Sequence, residues 1–368
     1  MVIRDIDTDA AAAHEMFQSF EGMEGLPVST PAAPAIRKRL SAEAFARRVY
    51  PGLLVAVTIG LAADWLSSHY KAPVMLFALL FGMTFHFLHE EGRCIPGIEF
   101  ASKAVLRTGV ALLGARITLE QIVALGPVPI AMVVAGVTTT LLMGLLLARL
   151  LGLSRSFGVL SGGSVGICGA SAALAIASVL PKTKESERDV ILAVVVVTGL
   201  STLAMIFYPM LVPVIGLDNQ RAGLFLGGTI HDVAQVVGAG YTISQKTGDI
   251  ATYVKLLRVA MLLPVVGTIA FVLSRGRVGQ TGMKVPLPWF LFGFAALVAL
   301  NSLGVLAKPV VDGAGEVSRW CLVVAIAALG MKTSFKALIA AGWRPVATMI
   351  LETLWIAVLV LGVVEFAT

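Results

Sequence analysis

Charged residues are scarce in this chain, and their scarcity argues against a soluble globular protein. Only 14% of the 368 residues are Asp, Glu, Lys or Arg, whereas 57% are hydrophobic. A soluble domain carries roughly a quarter charged residues and could not cover this much apolar surface. The composition therefore predicts a protein that is surrounded largely by lipid.

Cysteine is also rare, with three scattered thiols at Cys94, Cys168 and Cys321. An odd set without metal-ligand spacing predicts neither a disulfide framework nor a metal site. The sequence has no Walker loop and no Rossmann fingerprint, so we expect neither an ATP-driven step nor a cofactor. Lys and Arg residues beside membrane segments explain the net charge of +6, and no nucleic-acid partner is needed.

Long uncharged runs are what the chain has in abundance. Residues 127–148 and 190–217 contain no charge, and each exceeds the ~20 apolar residues that a helix needs to cross ~30 Å of hydrocarbon. Backbone groups in lipid must be paired, which leaves helices or closed barrels, and these runs lack strand-like alternation. The sequence predicts an all-α polytopic membrane protein with about 9–11 transmembrane helices.

The N-terminal region differs from the rest of the chain. Residues 1–48 lack the basic-then-apolar start of a signal peptide, and we interpret them as a partly disordered cytoplasmic tail. Arg47 and Arg48 stand just before the first apolar run, which places the N-terminus in the cytoplasm. Residues 49–368 are predicted to form one transmembrane transporter domain in a bacterial inner membrane. Its candidate membrane segments are 50–66, 73–88, 104–120, 127–148, 157–180, 190–215, 221–243, 254–274, 287–307, 318–335 and 345–365.

An internal repeat is visible in the domain. Residues 110–126 resemble residues 326–342 at a constant offset of 216, with Gly114 matching Gly330. The full copies lie near 106–148 and 322–365. We expect them to enter the membrane from opposite sides, as the duplicated halves of secondary transporters do. Chance similarity between apolar segments is the alternative.

Two segments are rich in glycine at a depth where the chain should be helical. "SGGSVGICGAS" and "LGGTIHDVAQ" each place a glycine pair before a hydroxyl residue. A glycine pair can release the backbone from a helix, and Ser or Thr can cap the half-helix that restarts. That half-helix would present unpaired N–H groups and a partial positive charge to an anion. Close helix packing of the small-xxx-small kind is the alternative.

We therefore predict interrupted or re-entrant helices at 157–180 and 221–243, and leave open whether they cross the membrane fully. The candidate substrate-binding residues in these segments are Ser161, Gly162, Gly163, Ser164, Cys168, Gly227, Gly228, Thr229 and Gln235.

Ionisable residues inside membrane segments usually face a cavity or a partner. His231 and Asp232 are predicted to handle a coupling proton, with His231 on one helix face with Gln235. A structural His–Asp pair, or a segment end near water, is the alternative. Lys255 and Arg258 are predicted to shape the electric field of the site, or else to be ordinary boundary charges. The intramembrane acid Glu352 either carries protons or pairs with one of three bases, which are Arg107, Arg116 and Lys332.

Four motifs carry a resemblance to a known family. They are "LRTGVALLGARITL", "SGGSVGICGASA", "GGTIHDVAQVVGAG" and "KLLRVAMLLP". With them, residues 50–366 resemble the YeiH-like family of sulfate exporters, once catalogued as conserved hypothetical membrane proteins. Where that family often has Glu after the histidine, this chain has Asp232. The resemblance implies inverted repeats, two broken helices, and a core that moves against a dimerising scaffold.

These observations predict a secondary active transporter of a small anion, namely sulfate, a related sulfur oxyanion or a sulfonate. We expect proton coupling and an elevator-like mechanism, with the anion, H⁺ or Na⁺ and the lipid bilayer as partners. A sodium-coupled carboxylate symporter or a cation/proton antiporter is the alternative within transport, and a passive anion channel is the alternative of another class. We expect no enzyme activity, because nothing in the sequence supplies a third orienting group for Cys168.

Overall fold

The fold is known from a computed structural model that describes residues 42–70, 73–90, 92–181, 184–274, 289–333 and 342–367. Most of the predicted tail, residues 1–41, lies outside these ranges. Within them the chain forms helices joined by turns, without a strand. The helices are α1 Ala42–Tyr70, α2 Val74–Thr84, α3 Phe87–Glu90, α4 Ile95–Phe100, α5 Leu106–Leu113, α6 Leu119–Ala124, α7 Val128–Leu150, α8 Arg155–Gly166, α9 Ala170–Ala177, α10 Lys184–Ile215, α11 Asn219–Thr229, α12 Val233–Ile243, α13 Gln245–Ala260, α14 Leu262–Ser274, α15 Trp289–Ser302, α16 Lys308–Lys332 and α17 Trp343–Ala367.

Six helical stretches are long and apolar enough to cross a membrane. They lie in α1, α7, α10, the continuous pair α13–α14, α16 and α17. The other predicted segments coincide with shorter helices, such as α2 and α15, or with helices interrupted near their middle. The prediction of an all-α polytopic membrane protein is confirmed, although several segments are shorter than a single crossing helix.

The helices pack into two groups. The first, called here the crossing bundle, contains α7–α14 and α17, and the second, the flanking bundle, contains α1–α5, α15 and α16. The two bundles meet chiefly where α12 packs against α2 and α16. At that contact Gly238 of α12 lies close to the side chain of Ile326 on α16. At this point the two bundles are therefore in close apolar contact.

The helix bounds match at the same offset as the repeat in the amino-acid sequence. Shifted by 216, α2 coincides with α15 and α7 coincides with α17, each to within two residues at either end. Gly126 and Gly342, which match across the repeat, both have positive φ, at 69° and 83°. Both glycines directly precede a long membrane helix, where the left-handed conformation ends one segment and starts the next. The opposite orientation of the two copies remains a prediction.

The two copies also pack reciprocally. Gly114 of the first copy lies so close to α15 that a Cβ there would overlap the carbonyl oxygen of Phe294. Its match Gly330, in the second copy, lies equally close to α2, and a Cβ there would overlap the carbonyl oxygen of Leu79. Because α2 and α15 are themselves matched, each copy inserts a glycine against the other copy's short helix. Such reciprocal packing is what two related halves would produce if they are arranged as the predicted inverted repeat.

Candidate functional site

The first glycine-rich segment is interrupted, but not at its glycine pair. Helix α8 continues through Gly162, Gly163 and Ser164 and ends at Gly166. The chain then leaves helical geometry at Ile167, with φ −110° and ψ −87°, and α9 restarts after Gly169, whose φ is 69°. The predicted interruption exists, but the predicted position at Gly162–Gly163 is wrong.

The second segment shows the same displacement. Helix α11 passes through Gly227 and Gly228 and ends at Thr229. Ile230 and Asp232 have extended backbone conformations, and α12 begins at Val233. Each helix therefore breaks a few residues after its glycine pair, at 167–169 and at 230–232.

The glycine pairs serve close helix packing, which was the alternative interpretation. A Cβ at Gly162 would lie 2.8 Å from the carbonyl oxygen of Thr140, and one at Gly227 would lie 2.5 Å from that of Ala251. Neighbouring helices approach so closely at these positions that no larger residue fits. The hydroxyls of Ser164 and Thr229 donate one turn back, to the carbonyl oxygens of Leu160 and Phe225. They are therefore paired inside their helices and do not cap the restarted ones. Gly163 and Gly228 are likewise buried against side chains of Ile176 and Val360.

The two interruptions touch each other. A Cβ at Gly169 would lie 3.7 Å from the carbonyl carbon of His231. This contact brings the carboxyl ends of α8 and α11 and the amino ends of α9 and α12 to one point in the crossing bundle. Two helix ends whose carbonyl groups lack partners within their own helix, and two whose N–H groups lack them, thus meet in the protein interior.

Two cations from α13 satisfy the carbonyl ends. Lys255 Nζ donates to the carbonyl oxygens of Ile167 (2.7 Å) and Ile230 (3.0 Å). Arg258 donates to carbonyl oxygens of both broken helices as well. Its Nε bonds Gly166 (2.9 Å), its Nη2 bonds Val165 (2.6 Å), and its Nη1 bonds Ile230 (3.1 Å) and Gly227 (3.3 Å).

Both cations are fully enclosed, with exposed fractions of 0% for Lys255 and 1% for Arg258. They stand three residues apart on α13, so both point to the same side. The carbonyl ends of helices carry partial negative charge, which stabilises a cation placed there. The alternative that these residues are boundary charges is wrong, and they belong to the contact between the two interruptions.

Asp232 occupies the amino end of α12. Its carboxylate accepts from the N–H groups of Ala234 (2.8 Å) and Gln235 (3.4 Å), and its own N–H donates to the hydroxyl of Ser201 (3.0 Å). The N–H groups that were predicted to bind an anion at this helix end are therefore paired with an acid of the chain itself. At the matching end of α9, Gly169 provides no side-chain cap.

His231 and Gln235 do not share a helix face, because His231 lies in the interruption before α12. His231 Nε2 lies 3.0 Å from Thr353 Oγ1, and Gln235 Nε2 donates to Thr202 Oγ1 at 2.9 Å. The predicted common face is therefore wrong. Within the described ranges, His231 and Asp232 form no hydrogen bond with each other either.

Ser161 and Glu352 form a pair that the sequence did not predict. Ser161 Oγ donates to Glu352 Oε1 at 2.7 Å, and the Glu352 side chain is fully buried. Lys332, one of the three bases proposed as partners of Glu352, lies 3.2 Å from Glu99 instead. Glu352 and Thr353 are adjacent on α17, so this helix contacts α8 and the second interruption through consecutive residues.

The region where the two interruptions touch, called here the crossing, is closely packed around these groups. Cys168 lies in the first interruption, where its sulfur accepts from Ser171 Oγ at 2.7 Å. Beside Arg258 is a crevice between α7, α11 and α17 that is too narrow to admit a water-sized sphere. No group of three or more His, Cys, Asp or Glu side chains in the described parts of the chain could bind a metal ion. A solute could reach the cations only after these helices move apart.

Ser201, Thr202 and Thr353 were not predicted as site residues. Each is a buried hydroxyl within a long apolar helix. Buried hydroxyls in membrane helices commonly bond across helices, and the consecutive Ser201–Thr202 pair in an otherwise apolar run was the signal in the sequence.

Comparison with known proteins identifies the family. Residues 51–349 match the family described as Conserved hypothetical protein 698. A UPF0324 membrane protein of Chlorobaculum tepidum is 57% identical over 318 residues, which cover 86% of this chain and 89% of the relative. The UPF0324 membrane protein TauZ of Paracoccus pantotrophus is 52% identical over 315 residues, covering 84% and 93%. The resemblance predicted from the four motifs is confirmed by these matches, and the chain belongs to the UPF0324 family of membrane proteins.

Proposed function

We propose that the chain is a secondary transporter, and not an enzyme, that carries a small anion such as sulfate or a sulfonate across the bacterial inner membrane. The observation that supports this most directly is the pair of fully buried cations, Lys255 and Arg258, where two interrupted helices touch. Ionisable groups inside a membrane protein are costly and mark solute or ion pathways. Broken helices that meet near the midplane are the usual location of transporter binding sites.

The charges at the crossing favour an anion. Lys255 and Arg258 bring two formal positive charges, whereas Asp232 brings one negative charge. The carbonyl ends of α8 and α11 offset part of the positive charge. The amino end of α9, which has no side-chain cap, adds a partial positive charge. An anion that enters beside α9 would find a net positive environment with backbone N–H donors.

Coupling to a proton is assigned to the second interruption. His231 is bonded to Thr353, and Asp232 caps α12. A proton on Asp232 would change the charge beside the anion site and the cap of α12 at the same time, and a proton on His231 would change that charge and the contact with Thr353 of α17. Since α12 is also the main contact between the crossing bundle and the flanking bundle, such a change would act on the surface along which the bundles move in an elevator-like cycle.

Flux measurements test this proposal. The purified protein is reconstituted into liposomes, and radiolabelled sulfate and methanesulfonate are followed with and without a pH gradient. We expect saturable anion flux that a pH gradient accelerates. Flux that requires sodium and ignores both anions would support the carboxylate symporter or antiporter instead. A conductance far above carrier turnover in planar bilayers would support a channel.

A further inference from the structure

We propose that Glu352 gains and loses a proton during transport. Its protonation state would change the hydrogen bond with Ser161, which lies on the first broken helix, α8. This inference rests on the proposed transport function and adds a coupling site to it, on α17 rather than at the interruptions. It is carried by the hydrogen bond between Ser161 Oγ and Glu352 Oε1, by the complete burial of both residues, and by the position of Glu352 near the middle of a membrane-spanning helix.

The surroundings of Glu352 are built from small residues. A Cβ at Gly144 of α7 would lie 2.7 Å from Glu352 Oε1 and 2.9 Å from the Cα of Gly162. Glycines on α7 and α8 therefore leave the space that the carboxyl fills. Glu352 Oε2 is buried without a hydrogen-bond partner among the described residues. An ionised Glu352 would therefore have one oxygen without a donor to stabilise its negative charge, which favours the protonated form.

Within the part of the chain that the structure describes, Glu352 forms no ion pair, and its hydrogen-bond partner is Ser161. The helices that pack against α17 are α7, α8, α10 and α11. The described charged side chains on these helices stand at or near helix ends, and none of them forms an ion pair with Glu352. They are Arg149, Arg155, Arg188, Asp189 and Arg221. His231 faces the next residue of α17, Thr353, and Arg344 and Glu365 lie at the two ends of α17 itself.

An ionised carboxylate held in this way is expensive in hydrocarbon, and a proton is the simplest means to neutralise it. Transport that takes up and releases a proton needs a group whose charge can change inside the protein. Glu352 satisfies this requirement, because water can reach it only when α7, α8 and α17 separate.

Ser161 provides the link to α8. Its hydroxyl has two acceptors within reach, Glu352 Oε1 at 2.7 Å and the carbonyl oxygen of Gly158 at 3.3 Å. When Glu352 is ionised, the hydroxyl of Ser161 donates its hydrogen bond to Oε1. When a proton resides on Oε1, the carboxyl becomes the donor to Ser161 Oγ, and Ser161 donates to Gly158 instead. One proton is gained and one hydrogen bond reverses, so the change reaches the helix that ends at the anion site.

The test uses Glu352→Gln, which imitates the neutral carboxyl. Glu365→Gln is the matched control, because Glu365 is exposed near the end of the same helix. We expect Glu352→Gln to retain downhill sulfate exchange but to lose accumulation of sulfate driven by a pH gradient, whereas the control retains both. Gradient-driven accumulation in Glu352→Gln equal to the wild type would overturn the inference.

A second measurement separates this inference from the anion proposal. Infrared difference spectra of the purified wild type, recorded between two pH values, should contain a protonated-carboxyl band that is absent in Glu352→Gln and present in Glu365→Gln. The size-exclusion elution profile of Glu352→Asp, which keeps a shortened carboxyl, shows whether a change of side chain at this position still allows folding. If no sulfate moves but this band is found, the substrate is wrong and the proton site stands. If the band is unchanged in folded Glu352→Gln, the proton site is wrong whatever anion is carried.

Discussion

The ammonium group of Lys255 donates a hydrogen bond to the carbonyl oxygen of Ile167, 88 residues earlier in the chain. That bond joins α13 to the end of α8, and a second bond to Ile230 joins α13 to the end of α11. One side chain therefore fixes both interruptions, and the fold of the crossing depends on it.

Replacing Lys255 by Met should destabilise the protein and stop transport. The buried carbonyl oxygen of Ile167 would be left unpaired, at a cost of about 1–3 kcal/mol, whereas that of Ile230 would keep its bond from Arg258. Thermal unfolding in detergent and sulfate flux measure the two effects. Lys246→Met is the matched control, since Lys246 is exposed on the same helix, and it should leave both measurements near wild type. Equal behaviour of the two variants would contradict the role given to Lys255.

Arg258→Lys should also reduce stability, although it preserves the charge. The guanidinium of Arg258 bonds carbonyl oxygens on both broken helices from three nitrogen atoms. A single ammonium lacks the planar fork and cannot reach them together. We expect a lower unfolding temperature than for Arg149→Lys, a change at an exposed position at the end of α7. An unfolding temperature as high as that of this control would show that charge alone suffices.

Asp232→Asn should leave the fold intact and strongly reduce proton-coupled flux. Asn caps a helix about as well as Asp, so stability should change by less than about 1 kcal/mol. The charge beside the crossing is nevertheless lost. Asp218→Asn is a close control, because Asp218 caps α11 in the same manner, away from the crossing. Unchanged coupled flux in Asp232→Asn would remove Asp232 from the coupling mechanism.

Gly227→Ala should destabilise the protein, because its Cβ would lie 2.5 Å from the carbonyl oxygen of Ala251. Overpacking of this kind costs about 1–3 kcal/mol. Gly267→Ala, on α14, meets no atom within 4 Å and should be neutral or stabilising by up to about 1 kcal/mol. Thermal unfolding of both variants in the same detergent distinguishes packing from backbone freedom. If Gly227→Ala were the more stable of the two, the packing role would be refuted.

The sequence was sufficient to predict an all-α polytopic membrane protein, because hydrocarbon imposes length and apolarity on every crossing. The inverted repeat stays a prediction. The match of Gly126 with Gly342 appeared in the letters and again in the backbone conformations. Two interruptions were also predicted and are present, although the glycine pairs on which that prediction depended lie within continuous helix.

The positions of the interruptions could not be predicted from local sequence. Helices α8 and α11 pass through their glycine pairs because neighbouring helices pack against the bare backbone there. The carbonyl ends of α8 and α11 bond Lys255 and Arg258, which are remote in the chain. The cap of α12 is local, since Asp232 directly precedes that helix, but the N–H of Asp232 bonds Ser201, 31 residues earlier. Similarly, the hydroxyl of Ser161 was expected to face a solute but bonds Glu352, which is 191 residues away.

The reciprocal insertion of Gly114 against α15 and of Gly330 against α2 has a consequence for biosynthesis. When the ribosome has produced the first copy, α2 still lacks the surface that Gly330 will provide, and Gly114 has no helix to fill its groove. The first copy therefore remains incompletely packed in the bilayer until the second copy is inserted. Separately expressed halves should consequently accumulate only when both are made in the same cell, each acting as the template that the other needs.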